Sequence, residues 1–258
     1  MARFECEAVL FDLDGVLVDS ARPVERVWRE WAKRRGLDVA RVVEVAHGQR
    51  TIETVQLFTP YLDAEAEAKE LERAEIEDTT GLLKADGAGA LLNILPPSSW
   101  AVVTSGTRAL ATARLRNTAL QIPRVLVGAE DVAKGKPDPE CYLKGAELLG
   151  VSAEQCVVVE DTPAGIQAVH SAGMVAVAVA TTHRASKLSK ADAVVRALSD
   201  VCLSRTSVSE GNYTFTGEER WASCRMWRCS RCSNKRGVRY LDGCNSWWPC
   251  WPAFRARP

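Results

Sequence analysis

The segment Ala8-Val9-Leu10-Phe11-Asp12-Leu13-Asp14-Gly15-Val16 is an apolar run of four that stops at an acid, with a second acid and a glycine close behind. Such a run suits a strand buried on both faces that delivers acids to its C-terminal end. Ligands of open α/β sheets bind at that end. Two carboxylates one residue apart leave a strand on the same side, and Gly15 permits a tight backbone departure, so Asp12 and Asp14 can both face one cation and one phosphate. Alone, the pair fits equally well a turn with two solvated aspartates.

Downstream, residues 23–84 are rich in Ala, Glu, Arg and Leu, with helical spacing at Val24, Val27, Trp28 and Trp31, and read as a helical insert. Alternation then resumes. Strands are expected at Trp100–Val103, Val125–Val127, Cys156–Val159, Val175–Ala180 and Ala193–Val195, with helices at Arg108–Asn117, Pro139–Leu149 and Pro163–Ala172. Strands alternating with helices imply an α/β fold, a Rossmann-like parallel-sheet core covered on both faces. The expected organisation is a core at 1–23 and 85–203, a helical cap at 24–84 inserted after the first strand, and an atypical tail at 204–258. No solenoid-period repeat is present.

The 258 residues suffice for such a core. Lys plus Arg and Asp plus Glu are both 33, and zero formal net charge offers no general attraction to nucleic acid or an anionic membrane. The N-terminus lacks the apolar stretch of a secretory signal, and no later run is long enough to span a bilayer. A cytoplasmic monomer acting on a small molecule is expected. Cys6, Cys141 and Cys156 sit singly in patterned segments, whereas five of the nine cysteines crowd between Cys224 and Cys250, so the count does not mark the main body as disulfide-built.

Three further segments lie at expected strand ends. Thr104-Ser105-Gly106-Thr107 presents hydroxyls and an open backbone N–H before a helix, which suits an anion or a plain N-cap. Gly135-Lys136-Pro137-Asp138-Pro139 carries a lysine on a proline-stiffened loop, a phosphate clamp or a solvated charge. Glu160-Asp161 ends an apolar run with hard oxygen ligands for magnesium, or with an acidic N-cap.

Together, in this order and on this alternation, the four segments resemble the haloacid dehalogenase superfamily of aspartate-nucleophile phosphatases, over Ala8 to Val201. The resemblance implies that Asp12 attacks phosphorus to give an aspartyl-phosphate, and that Asp14 protonates the leaving oxygen and then activates water. It assigns the phosphoryl oxygens to Ser105, Gly106 and Lys136, with Ser105 preferred to Thr104 because Gly106 follows it. Magnesium falls to Asp12, the Asp14 carbonyl and Asp161, with Glu160 direct or through water.

In the insert, His47-Gly48-Gln49-Arg50-Thr51 suits a loop descending onto the core, with His47 and Arg50 as substrate contacts. This run, with Trp100–Arg108, Gly135–Gly145 and Glu160–Gly165, is similar to the branch that hydrolyses glycerol phosphate and 2-deoxyglucose 6-phosphate, which implies a sugar or polyol phosphomonoester. Val16, where that branch commonly has threonine, also occurs in sugar-phosphate mutases, so a β-phosphoglucomutase-like activity is the rival. A third reading is a non-enzymatic binding protein acting through the tail. There, Cys229 and Cys232 supply half of a zinc site and arginines interleave with Trp227 and Tyr240, but five of eight tryptophans come without periodicity, which favours a disordered or non-native extension.

Overall fold

A computed structural model describes residues 2–205 and 213–217 of the chain. Its centre is a six-stranded, wholly parallel sheet of β2 (Ala8–Phe11), β5 (Trp100–Val103), β6 (Val125–Val127), β7 (Cys156–Glu160), β8 (Val175–Val179) and β9 (Ala193–Val195), in the order β6-β5-β2-β7-β8-β9. β2, β5 and β7 are buried at every position, as near-continuous apolar runs must be when helices cover both faces.

Alternate residues divide between two layers. Val9, Phe11, Val102, Val157 and Val177 pack with Leu91 and Leu92 of α5 (Ala88–Ile94) and Leu115 of α6 (Arg108–Asn117). Leu10, Ala101, Val103, Val158 and Ala176 pack with Tyr142 and Ala146 of α7 (Glu140–Leu149) and Ile166 and Val169 of α8 (Pro163–Ser171). Each fully buried Val, Leu or Ile contributes about 1.5–3 kcal/mol, so the layers hold the register on which the strand ends depend.

Between β2 and β5 lie α1 (Ala21–Arg34), α2 (Val39–Ala46), α3 (Thr51–Phe58) and α4 (Ala64–Glu77), which share their own core of Trp28, Trp31, Val42, Val55 and Leu71. Asp38 and Asp63 cap α2 and α4 through their carboxylates. The chain enters and leaves this insert along a two-stranded antiparallel ribbon, β3 (Val18–Asp19) with β4 (Leu83–Lys84). The first helix therefore starts at Ala21, ahead of the expected boundary at 23/24.

A small antiparallel sheet lies outside the expected strands. β1 (Ala2–Cys6) pairs with β11 (Tyr213–Gly217), which pairs in turn with β10 (Val201–Arg205). Patterned chain thus extends into residues expected to form an unpatterned tail, and Tyr213 is buried against the core. The Cys229 and Cys232 pair and the neighbouring Arg and Trp residues lie outside the described residues. No helix among the described residues is long and apolar enough to cross a membrane.

Candidate active site

Asp12 is the first residue beyond β2, and its N–H donates to the Val159 carbonyl at 2.9 Å, which carries the β2–β7 ladder one step further and sets Asp12 beside Glu160. Gly15 then turns the chain at φ +78°; a Cβ there would lie 2.1 Å from the Asp161 carboxylate, so only glycine lets Asp161 come this close. Asp12, Lys136, Glu160 and Asp161 are brought together as expected, and all four are buried.

Lys136 reaches from the loop before α7 and donates at 2.6 Å both to Asp12 Oδ1 and to Glu160 Oε1. Glu160 is wholly enclosed: Oε1 also accepts the Tyr142 hydroxyl at 3.0 Å, while Oε2 accepts the Asp161 and Thr162 N–H groups, both at 2.7 Å, and Thr162 Oγ1 at 3.0 Å. Five donors saturate the carboxylate, so Glu160 fixes Lys136 and the turn carrying Asp161. Asp161 is the opposite case. Thr182 donates to its Oδ2, but Oδ1 is a buried acceptor with no partner among the described residues.

The electrostatics match this geometry. Burial pushes the Asp12 carboxyl up to about 7, against the pull of the Lys136 ammonium and with help from Glu160. Burial, then Glu160 and Asp12, push Asp161 well above the usual range. For Lys136, burial favours the neutral amine, but Asp12 and Glu160 overcome it and hold the ammonium. Oxygens of Asp12, Glu160 and Asp161 lie within 4.8 Å of one another. Once ionised, three carboxylates facing one ammonium carry an excess of two negative charges, and Asp161 Oδ1 has no hydrogen-bond partner among the described residues. Hard oxygen donors in that balance fit a divalent cation.

Across the sheet ends, Thr104 follows β5. The Gly106 N–H donates to Thr104 Oγ1 at 3.1 Å, and Ser105 Oγ donates to the Gly48 carbonyl of the insert at 2.9 Å. Ser105 is the expected phosphate hydroxyl; its proton goes to the Gly48 carbonyl of the cap, whereas that of Thr104 has no acceptor among the described residues. The Gly106 N–H, expected to meet the anion, is the donor in that bond to Thr104 Oγ1. Asp14 accepts from Ser20 Oγ and from the buried guanidinium of Arg114.

A cavity of about 50 Å³ lies where cap meets core, lined by Asp12, Asp14, Thr104, Ser105 and Arg114 from the core and by Trp28, His47, Gln49 and Glu75 from the insert. His47 faces it, and burial pushes its imidazole below the ordinary value. Arg50 does not line it. Its Nη1 donates at 3.0 Å to the Ala133 carbonyl, and Glu53 Oε1 accepts the Gly135 N–H at 3.1 Å, so Arg50 ties the cap to the loop that carries Lys136. Arg50 was expected to grip substrate oxygens; in this closed arrangement its contacts are those of a clasp.

Sequence reasoning missed Arg114, Glu75, Tyr142 and Thr182. Glu75 is one acid in the acidic helix α4, and Arg114 one of three arginines in α6, so neither carries a local mark. A charged side chain on the face of α6 that also carries Leu110 and Ala111 was the one available signal.

The model of the haloacid dehalogenase-like hydrolases matches residues 6–173. Hexitol phosphatase A of Escherichia coli (strain K12) is 40% identical over 205 residues, 78% of this chain and 95% of that protein. Glycerol-1-phosphate phosphohydrolase 2 of Saccharomyces cerevisiae is 38% identical over 188 residues, 68% of this chain and 75% of that one. Among solved structures, a hydrolase from Pseudomonas syringae superposes with a TM-score of 0.66 at 23% identity, covering 73% of this chain and 92% of that chain, a likeness of fold. With its strand-end acids, buried lysine and inserted helices in place, the chain belongs to the haloacid dehalogenase-like hydrolases.

Proposed function

We propose that this chain is a magnesium-dependent phosphatase that hydrolyses a small sugar or polyol phosphomonoester through an aspartyl-phosphate on Asp12. The observation that carries the reading is a carboxylate held at a strand end, 2.6 Å from a buried lysine and beside an acid with an unpartnered oxygen. Relatives named for hexitol and glycerol phosphates favour a polyol leaving group and water as the final acceptor. The cavity of about 50 Å³ lies between cap and core, so substrate is admitted when the cap opens. The expected compartment is the cytoplasm, whose reducing conditions suit the buried free thiols of Cys6, Cys141 and Cys156.

In the first half-reaction an Asp12 oxygen forms a bond to phosphorus, the bond from phosphorus to the substrate oxygen breaks, and Asp14 gives that oxygen its proton. In the second, water attacks phosphorus, the acyl-phosphate bond breaks, and Asp14 takes the proton from water. Lys136 and the Thr104 hydroxyl hold the non-bridging oxygens. Asp12, Asp161 and the Asp14 carbonyl would hold magnesium, whereas Glu160, expected as a ligand direct or through water, has both oxygens taken by five donors and positions Lys136 and Asp161 instead; the ion would supply positive charge where an anionic nucleophile meets an anionic phosphate. Closure over the site keeps bulk water out while the leaving group departs.

The test is phosphate release from glycerol phosphate, a hexitol phosphate and a hexose 6-phosphate, with and without magnesium. Asp12→Asn is expected to lower release by more than about 10³-fold, the scale on which enzymes lose rate with their nucleophile. Undiminished release by that variant would remove the reading.

A further inference from the structure

Arg114, on α6, is 5% exposed. Its Nη1 donates to Asp14 Oδ2 and its Nη2 to Glu75 Oε2, so one guanidinium spans a catalytic-loop acid and an acid from cap helix α4. Both ends are anchored: Ser20 Oγ donates to the other Asp14 oxygen, and Trp28 Nε1 of α1 donates at 2.9 Å to the other Glu75 oxygen. Burial favours the neutral form of Arg114, but Asp14 and Glu75 outweigh it and keep the cation.

A buried ion triad of this kind is poor at stabilising a fold, because desolvation consumes most of what the charges return. An apolar residue at 114 would join Leu110 and Ala111 at lower cost. What the triad does achieve is geometry. The guanidinium gives one N–H to each carboxylate, and its rigid plane ties the direction of the Asp14 oxygen to the position of Glu75 on the docked α4.

We propose that Arg114 is a positioning residue that aims the Asp14 carboxyl at the leaving-group oxygen, and that Glu75, delivered by the cap, completes that aim only when the cap is shut. The proposal rests on the phosphatase reading and deepens it, by tying proton delivery to closure over a bound polyol phosphate. An alkoxide needs a proton as its bond to phosphorus breaks; p-nitrophenolate leaves without one. Loss of aim therefore has a signature that loss of packing lacks.

The experiment compares kcat/KM for p-nitrophenyl phosphate with that for whichever of glycerol phosphate, a hexitol phosphate and a hexose 6-phosphate the wild type turns over best. Arg114→Gln is expected to lower kcat/KM about 10²-fold on the alkyl phosphate and less than about threefold on p-nitrophenyl phosphate, the lower range of a general acid's contribution. Glu75→Gln, nearly isosteric and still able to accept from Trp28, is expected to show the same split at about tenfold, with little added effect in the double variant. Equal losses on both substrates, or none on either, would overturn the proposal. Should Arg114→Gln not fold, Glu75→Gln carries the comparison alone. An inactive wild type, or an active Asp12→Asn, would instead defeat the phosphatase reading and this proposal with it.

Discussion

Asp12 and Asp161 are carboxyls placed where ionisation is costly, and that cost yields a pH-dependent prediction. An acid whose pKa in the fold exceeds its unfolded value of about 4 removes stability as pH rises from the unfolded value through the folded one. Asp12 is pushed up to about 7 and Asp161 moves the same way, so both groups weaken the metal-free protein increasingly above about pH 4. A divalent ion needs these groups ionised and returns the lost stability. Magnesium is thus expected to raise Tm by more at about pH 8 than at about pH 5, measured by thermal melts with magnesium and with chelator. An equal rise at both would place the ion elsewhere. At this scale, Asp12 and Glu160 were legible because each closes an apolar run, Asp14 and Asp161 because they follow those two closely, and Lys136 because a proline-stiffened loop carries it. Thr104 was ranked below Ser105 because a hydroxyl's direction depends on what neighbouring chain accepts its proton, and the acceptor for Ser105, the Gly48 carbonyl, is 57 residues away.

Among the contacts by which the insert closes on the core are the Gly48 carbonyl on Ser105, Arg50 and Glu53 on residues 133–135, and Glu75 on Arg114. The first is the most easily probed. Gly48 sits at φ +81°, and a Cβ there would lie 2.8 Å from Thr162 Cγ2. Gly48→Ala is expected to hold the cap off the core, lowering kcat/KM on alkyl phosphates at least about tenfold, while the residue's cost to overall stability stays near the 1–2 kcal/mol of a left-handed alanine. Kinetics and a urea melt on the same sample check both halves. The helices were legible from the spacing of their apolar residues, and the parallel strands from short, near-continuous apolar runs. β1 was not, since Arg3 and Glu5 alternate with Ala2, Phe4 and Cys6 in a charged-looking N-terminus that is in fact a half-exposed strand.

At the scale of the molecule, β1 obtains its ladder from β11, more than two hundred residues later, and β11 also brings Tyr213 into the core. A chain ended at Gly217 is therefore expected to be more stable than one ended at Leu203 by about 3 kcal/mol, the scale of losing a buried aromatic side chain, as measured by urea denaturation. Equal stability would mean that the small sheet adds nothing to the core. Local patterns determined the α/β class, the place of the inserted helices and the acids at the strand ends, because strand and helix periods and a run stopped by a carboxylate are properties of a few neighbouring residues. Tertiary structure alone decided which hydroxyl stays free, that Arg50 clasps a loop, and that Arg114 and Glu75 flank Asp14. Those outcomes depend on which distant groups meet once water is excluded, and a buried charge takes its role from the partners that surround it.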